Sequence, residues 1–257
     1  MIKIRIAALI FFIIAPLFGQ TKIVISKYDG SVDSLNLSTI KSISFAIDTV
    51  ADIPPVQRVA YYPLNGNADD SSGNGYNGST AGTEPDSDRF GIDSSALRFN
   101  GVNSYVDIPY EFDYPEKTVA FWFRIDTTNT STIDMYDCDN PHLTHGLTAV
   151  ALQYNGEYSL LFRLSDVSYD TVLTNPQKWH FVAVVTSYKN YTLYLDGTMI
   201  KSGAIGTYIT SVDGLRSTVL GASRNLNTYF FSGVLDELRV FNYALMPGQV
   251  QSLYNQN

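Results

Sequence analysis

The chain has 257 residues, with 17 basic against 25 acidic side chains, a formal charge of −8 and one cysteine, Cys138. That charge repels nucleic acid, and a single cysteine excludes an intramolecular disulfide. Stability must come from burial, for which 18 Tyr and 14 Phe supply side chains suited to half-buried, pleated strands.

Lys3 and Arg5 precede an apolar run from Ile6 to Phe18, and small Gly19 follows it. A charged start, an apolar middle and a small residue make a cleaved signal peptide over residues 1–19, so the mature chain is expected to begin near Gln20 and to be secreted. The apolar run is shorter than the roughly 20 residues of a bilayer span. No second such run follows and no cysteine at the cleavage point accepts a lipid, so no membrane span or anchor is expected. Loss of Lys3 and Arg5 leaves 15 basic residues against 25 acidic, a mature charge of −10.

Residues 20–47 read as a small N-terminal β element. Lys22 to Lys27 is a strand, Asp29-Gly30 a hairpin turn, Val32 to Leu37 its partner, and Ile43 to Ile47 a third strand. So short a unit cannot build a core of its own. Residues 48–57 read as a linker, held extended by Pro54-Pro55. From Arg58 onward short strands alternate with Gly, Asn and Asp turns. They include Val59–Tyr62, Ala96–Phe99, Tyr105–Ile108, Thr118–Ile125, Leu147–Tyr154, Tyr158–Leu164, Trp179–Val185, Thr192–Leu195, Thr218–Gly221 and Val234–Phe241. Pro247 to Tyr254 is the one helical candidate. The pattern is all-β and predicts a two-sheet antiparallel jelly-roll sandwich over residues 58–257.

Four segments then coincide in order: Val59 to Gly75 (VAYYPLNGNADDSSGNG), Ala96 to Gly101 (ALRFNG), Gln177 to Ala183 (QKWHFVA) with Leu193 to Gly197 (LYLDG), and Leu235 to Ala244 (LDELRVFNYA). Together they resemble the laminin-G-like, concanavalin A-like jelly-roll domain of bacterial surface and secreted proteins, from about Arg58 to Asn255. The resemblance implies two antiparallel sheets, a concave face used for glycan or protein ligands, and a structural Ca²⁺ where the N- and C-terminal strands meet. For that ion it implies the Asp70 carboxylate and backbone carbonyls near Asn67 and Gly101.

Period two in the last strand puts Val234, Asp236, Leu238 and Val240 on one face, so Asp236 is expected among aliphatic neighbours, where a carboxylate needs a partner or a cation. It is therefore the fourth candidate calcium ligand. The plainer alternative is that Asp236 binds backbone N–H groups and that Asp69-Asp70 form an Asx turn.

The segment from Asp134 to His145 gathers three carboxylates, Cys138, His142 and His145 in one expected loop, without the second cysteine pair of a zinc site. Tyr136, Asp137 and His142 are candidate ligand contacts there, because binding residues concentrate on loops. Tyr169, Tyr188 and Tyr229 are candidate stacking platforms for sugars. His180 is expected to be a hydrogen-bonded strand residue beside a core Trp179, and Asp196-Gly197 a hairpin turn.

Glu84, Glu111, Glu116, Glu157 and Glu237 stand apart from one another, and no paired-carboxylate strand, nucleophile elbow or phosphate loop occurs. No catalytic residue is assigned. The expected function is a secreted carbohydrate-binding module with a structural calcium. The alternatives are a protein adhesion or structural module, whose partner is an extracellular protein, and a hydrolase with carboxylates on distant strands.

Overall fold

The computed structural model describes residues 58–256 apart from 113, 115, 127–132, 139–145, 155, 166 and 207–216, and before them the backbone of two strands. The chain divides into two compact units, Met1–Asp48 and Thr49–Asn257. In the first, β1 (Lys22–Ser26) and β2 (Val32–Asn36) form an antiparallel hairpin with Lys22 opposite Asn36. The expected signal peptide, third strand and linker lie outside the described residues.

The second unit continues in chain order with β3 (Arg58–Tyr62), β4 (Ser79–Ala81), β5 (Glu84–Asp86), β6 (Ala96–Asn100), β7 (Tyr105–Ile108), β8 (Glu116–Ile125), β9 (Ile133–Asp137) and β10 (Gly146–Tyr154). It then runs through β11 (Tyr158–Ser165), β12 (Val167–Val172), β13 (His180–Ser187), β14 (Asn190–Leu195), β15 (Thr198–Ala204), β16 (Thr218–Leu220), β17 (Ser232–Phe241) and the helix α1 (Pro247–Tyr254). One sheet has the order β12-β11-β10-β9-β16-β7-β4, and the other β15-β14-β13-β8-β17-β6-β5 with β3 also on β17. Every pairing is antiparallel, and β16 and β17 return late in the chain to the middle of each sheet, as in a jelly roll.

Between the sheets lies an apolar core built by alternate residues, among them Phe99, Phe123, Tyr136, Phe162 and Leu235. A second apolar layer covers the other face of the larger sheet, where Trp122, Phe181 and Phe241 meet Val250 and Leu253 of α1. Strand β8 is covered on both sides, which is why its sequence from Val119 to Phe123 is apolar without alternation. Each fully buried large side chain contributes about 1.5–3 kcal/mol. The helix begins at Pro247, whose missing N–H costs nothing at that position, and the Gln249 side chain accepts the Met246 N–H at 2.9 Å.

Two β-bulges reset the faces. In β17 the ladder to β8 steps from Asp236 opposite Trp122 to Arg239 opposite Ala120, with Glu237 in the left-handed region at φ 58°. Leu238 and Val240 therefore point between the sheets, while Asp236 points toward Trp122 on the helix side. The expected sharing of one face by Asp236, Leu238 and Val240 is corrected. A second bulge in β9, between the pairs Tyr136–Val150 and Asp134–Ala151, turns Tyr136 into the core and both Asp134 and Asp137 outward.

At one side of the sandwich the edge strands β12 and β15 come together. Lys201 on β15 is exposed, with its ammonium 5.6 Å from the Tyr169 ring centroid, while Ile200 beside it packs against the core.

Candidate ligand-binding face

The outer face of the seven-stranded sheet carries a polar row that no single strand reveals. Cross-strand partners share a face, so the pairings place Arg163, Ala149, Asp137, Val219, Asp107 and Ser79 in one line from β11 to β4. At about 4.8 Å per strand the line spans roughly 24 Å. Beside it, Asp134 is 1% exposed and accepts a 2.7 Å hydrogen bond from Arg163 Nη2. This ion pair compensates the burial of the carboxylate, which would be costly alone. Asp137 is also buried and accepts the Arg224 backbone N–H at 3.0 Å. Ala151 and Val219 are buried between them, whereas Arg163 and Asp107 are half-buried and Ser79 is exposed. The middle of the row is thus covered by other parts of the chain, and its two sides reach solvent.

A compact loop, residues 221–231, borders this floor. Its base is tied by Gly221 N–H to Met135 O at 3.1 Å and Phe231 N–H to Gly221 O at 2.8 Å. Within it Ser223 and Thr228 bond through both backbone and hydroxyls, and Leu226 and Tyr229 occupy the left-handed region. The Tyr229 carbonyl accepts the Asp134 N–H at 2.8 Å, which ties the backbone of a half-exposed tyrosine to β9. Fixed donors and acceptors near a half-exposed tyrosine suit a ligand rich in hydroxyls with an apolar ring face.

The candidate residues separate on this frame. Tyr229 and Asp137 lie together here. Tyr136 does not: it is fully buried and stacks on Phe121 across the core, so it cannot meet a surface ligand. The expected loop at residues 133–137 is strand β9. Tyr169 faces between the sheets beside Phe162 and under Lys201, which corrects its assignment as an open platform. Tyr188 is exposed in the β13–β14 turn, at the Glu116 end of β8, whereas Tyr229 belongs near the Ile125 end, about 30 Å away along a ten-residue strand. The two cannot form one platform.

His142 and His145 lie outside the described residues, and Cys138 is buried in the core with the Thr218 hydroxyl 3.5 Å from its sulfur. His180 is buried and bonded to Asp196 at 2.9 Å and to the Asn175 carbonyl at 3.2 Å, while Trp179 is only half-buried and Phe181 is the core anchor instead. Arg163, Asp107 and Arg224 were not anticipated. An arginine between Phe162 and Leu164 does signal an outward position, but nothing local says which residues of distant strands join it.

The calcium set fails a test of fit. Asp70 Oδ1 accepts the N–H groups of Tyr61 (3.0 Å) and Ser72 (2.9 Å), and Oδ2 accepts the Ser72 hydroxyl (2.8 Å) and Tyr76 N–H (3.1 Å). Four donors fill the roughly four acceptor sites of a carboxylate. Burial pushes the Asp70 pKa up, but these donors outweigh it and hold the group below its ordinary value. The Asp70–Ser72 contact is the Asx turn of the plainer alternative, Asn67 Oδ1 makes a second one by accepting the Asp69 N–H at 3.0 Å, and Gly101 N–H is bound to Phe231 O. Asp236 belongs to a different set of partners: Arg89 Nη1 lies 3.0 Å from its Oδ2. The four residues do not form one oxygen shell, and among the described residues no three His, Cys, Asp or Glu side chains are disposed to hold a metal. Asp70→Ala is expected to cost about 2 kcal/mol, because it orphans buried N–H groups, and to do so equally in Ca²⁺ and in EDTA. A calcium-dependent loss in paired thermal melts would restore the ion.

The model of one family, the concanavalin A-like lectin/glucanases superfamily, matches residues 100–251. The chain belongs to that superfamily. Among solved structures, domain 4 of AbnA, an extracellular GH43 arabinanase from Geobacillus stearothermophilus solved with arabinotriose, is 21% identical with a TM-score of 0.61, covering 77% of this chain and 98% of that one. The binding domain of Paraclostridial Mosquitocidal Protein 1 is 21% identical with a TM-score of 0.60, covering 78% and 52%. The binding domain of botulinum neurotoxin DC in complex with SialylT is 15% identical with a TM-score of 0.56, covering 78% and 51%. The chain spans about half the length of these toxin domains. Two of these structures were solved with a glycan bound, and at these identities the property shared with this chain is the fold.

Proposed function

We propose that the chain is an exported, non-catalytic module that binds a carbohydrate on the outer face of its seven-stranded sheet. The observation that carries this reading is a half-exposed tyrosine, Tyr229, whose backbone is tied to β9 near the buried Asp134–Arg163 pair and Asp137. A pre-formed site of this kind loses little side-chain freedom on binding. Export is supported by the basic start and apolar run of residues 3–18. The non-catalytic reading is supported by the engagement of Asp134 with a guanidinium and of Asp137 with a backbone donor, since a general acid or nucleophile needs a carboxyl oxygen directed at the substrate.

The test is titration of the secreted chain with a panel of soluble polysaccharides, with reducing ends measured in parallel. Tyr229→Asn keeps a residue that tolerates left-handed backbone and is expected to weaken binding at least tenfold, about 1.4 kcal/mol. Tyr188→Asn, at the far end of the other sheet, should leave binding unchanged. Equal affinity for wild type and Tyr229→Asn would displace the site, and sustained release of reducing ends would make the protein an enzyme.

A further inference from the structure

We infer that this face selects neutral, hydroxyl-rich glycans over acidic ones, an inference that rests on the carbohydrate-binding reading above. Two polar atoms of the cross-strand row have no hydrogen-bond partner: the donor Arg163 Nε and the acceptor Asp107 Oδ1. Both are buried atoms of half-buried side chains, one on each side of the covered middle, and each gains a partner where a ligand turns it outward. A sugar hydroxyl donates and accepts through one oxygen, and a chain of them answers Arg163 at one end and Asp107 at the other. An ionised carboxylate only accepts. A uronic or sialic group satisfies Arg163 but meets Asp107 with a like charge and no proton to give.

The rest of the face pushes the same way. Its outward residues include Asp107, Asp134, Asp137 and exposed Asp170, which lies opposite Leu161 on the same sheet. Against these four carboxylates stand the Arg163 guanidinium and, in the bordering loop, Arg224. The chain's formal charge of −8 adds a repulsion that acts before contact. Asp134 already occupies part of the Arg163 guanidinium, which leaves less of it for an anionic ligand.

Matched polysaccharides that differ in carboxylation separate the possibilities: galactan against polygalacturonan, and neutral xylan against glucuronoxylan, titrated into the full secreted chain at low and high salt. The neutral member of at least one pair is expected to bind, with its acidic counterpart weaker by roughly tenfold or more at low salt. Salt should narrow that gap by screening. Asp107→Asn combined with Asp170→Lys should narrow it further, by admitting the acidic member. Asp107→Leu, which removes the acceptor, should weaken neutral binding roughly tenfold. Acidic glycans that bind as tightly as neutral ones, with sensitivity to Tyr229→Asn, overturn the selection and leave the binding site standing. Failure of every neutral and acidic glycan to bind overturns the binding reading itself, and the selection with it.

Discussion

Gly221→Ala is expected to lower the unfolding free energy by about 3 kcal/mol, combining an overpacked core with a left-handed backbone position. Gly221 has φ 79°, and a Cβ built there falls 2.2 Å from Cδ1 and 2.4 Å from Cε1 of Phe99. Phe99 cannot retreat, because it is fully buried between the sheets and packed on Phe231 at 5.8 Å. The same glycine ties the loop base to Met135 and Phe231, so the damage reaches Tyr229. Urea melts should show an earlier midpoint, and glycan binding by the surviving folded protein should drop. An unchanged midpoint would mean that the loop base is soft and that Tyr229 is not held as described.

The second large effect is on pH. Asp236 is buried beside Trp122, and burial, aided by the neighbouring Glu237 charge, pushes its pKa up to about 7 against the pull of Arg89. An unfolded aspartate releases its proton near pH 4, so between about 4 and 7 the folded chain holds a proton that the unfolded chain has lost. More protons on the folded state mean that stability falls as pH rises. The full loss, reached above pH 7, is a few kcal/mol at about 1.4 kcal/mol per pKa unit.

His180 acts with the same sign in a higher window. Burial lowers its pKa, but hydrogen bonds to Asp196 and to the Asn175 and Thr174 backbone outweigh that, so the net shift is upward. Both ring nitrogens face acceptors, which favours the doubly protonated ring. Its contribution is complete below about pH 6.5 and is lost as pH rises through the folded-state value. Urea midpoints should therefore decline steadily from pH 5 to pH 9. Asp236→Asn should flatten the lower part of that decline and His180→Gln the upper part. A profile that rises toward neutrality would contradict both assignments.

The order of strands, the single helix and the sandwich were legible because alternation and turn chemistry are local. Pro247 to Tyr254 forms as read, and β8 differs from its expectation only by an earlier start. What stayed hidden depends on insertions within a ladder. The bulge at Glu237 moved Asp236 to the helix side, and the one in β9 buried Tyr136, and neither break falls at a glycine. The Asx turn at Asp70 was readable as an alternative, since Asn, Asp, Ser and Gly crowd that stretch, but its four donors come from as far as Tyr61. The binding row was the least readable. It joins residues from Ser79 to Val219 through five separate registers, and no one of those registers follows from local sequence.

Lys201 sets how this molecule behaves in a crowd of its own kind. Paired with β14 on one side, strand β15 is the rim of its sheet among the described residues, with Met199 exposed on it, and an open rim is the usual template for another molecule's strand to add and for a fibril to grow. An added strand would have to pack beside the exposed Lys201, covering its ammonium or pulling it off the Tyr169 ring. Either outcome costs free energy that the new hydrogen bonds must offset. A single charge on an otherwise adhesive rim thus works against the seeding of aggregates.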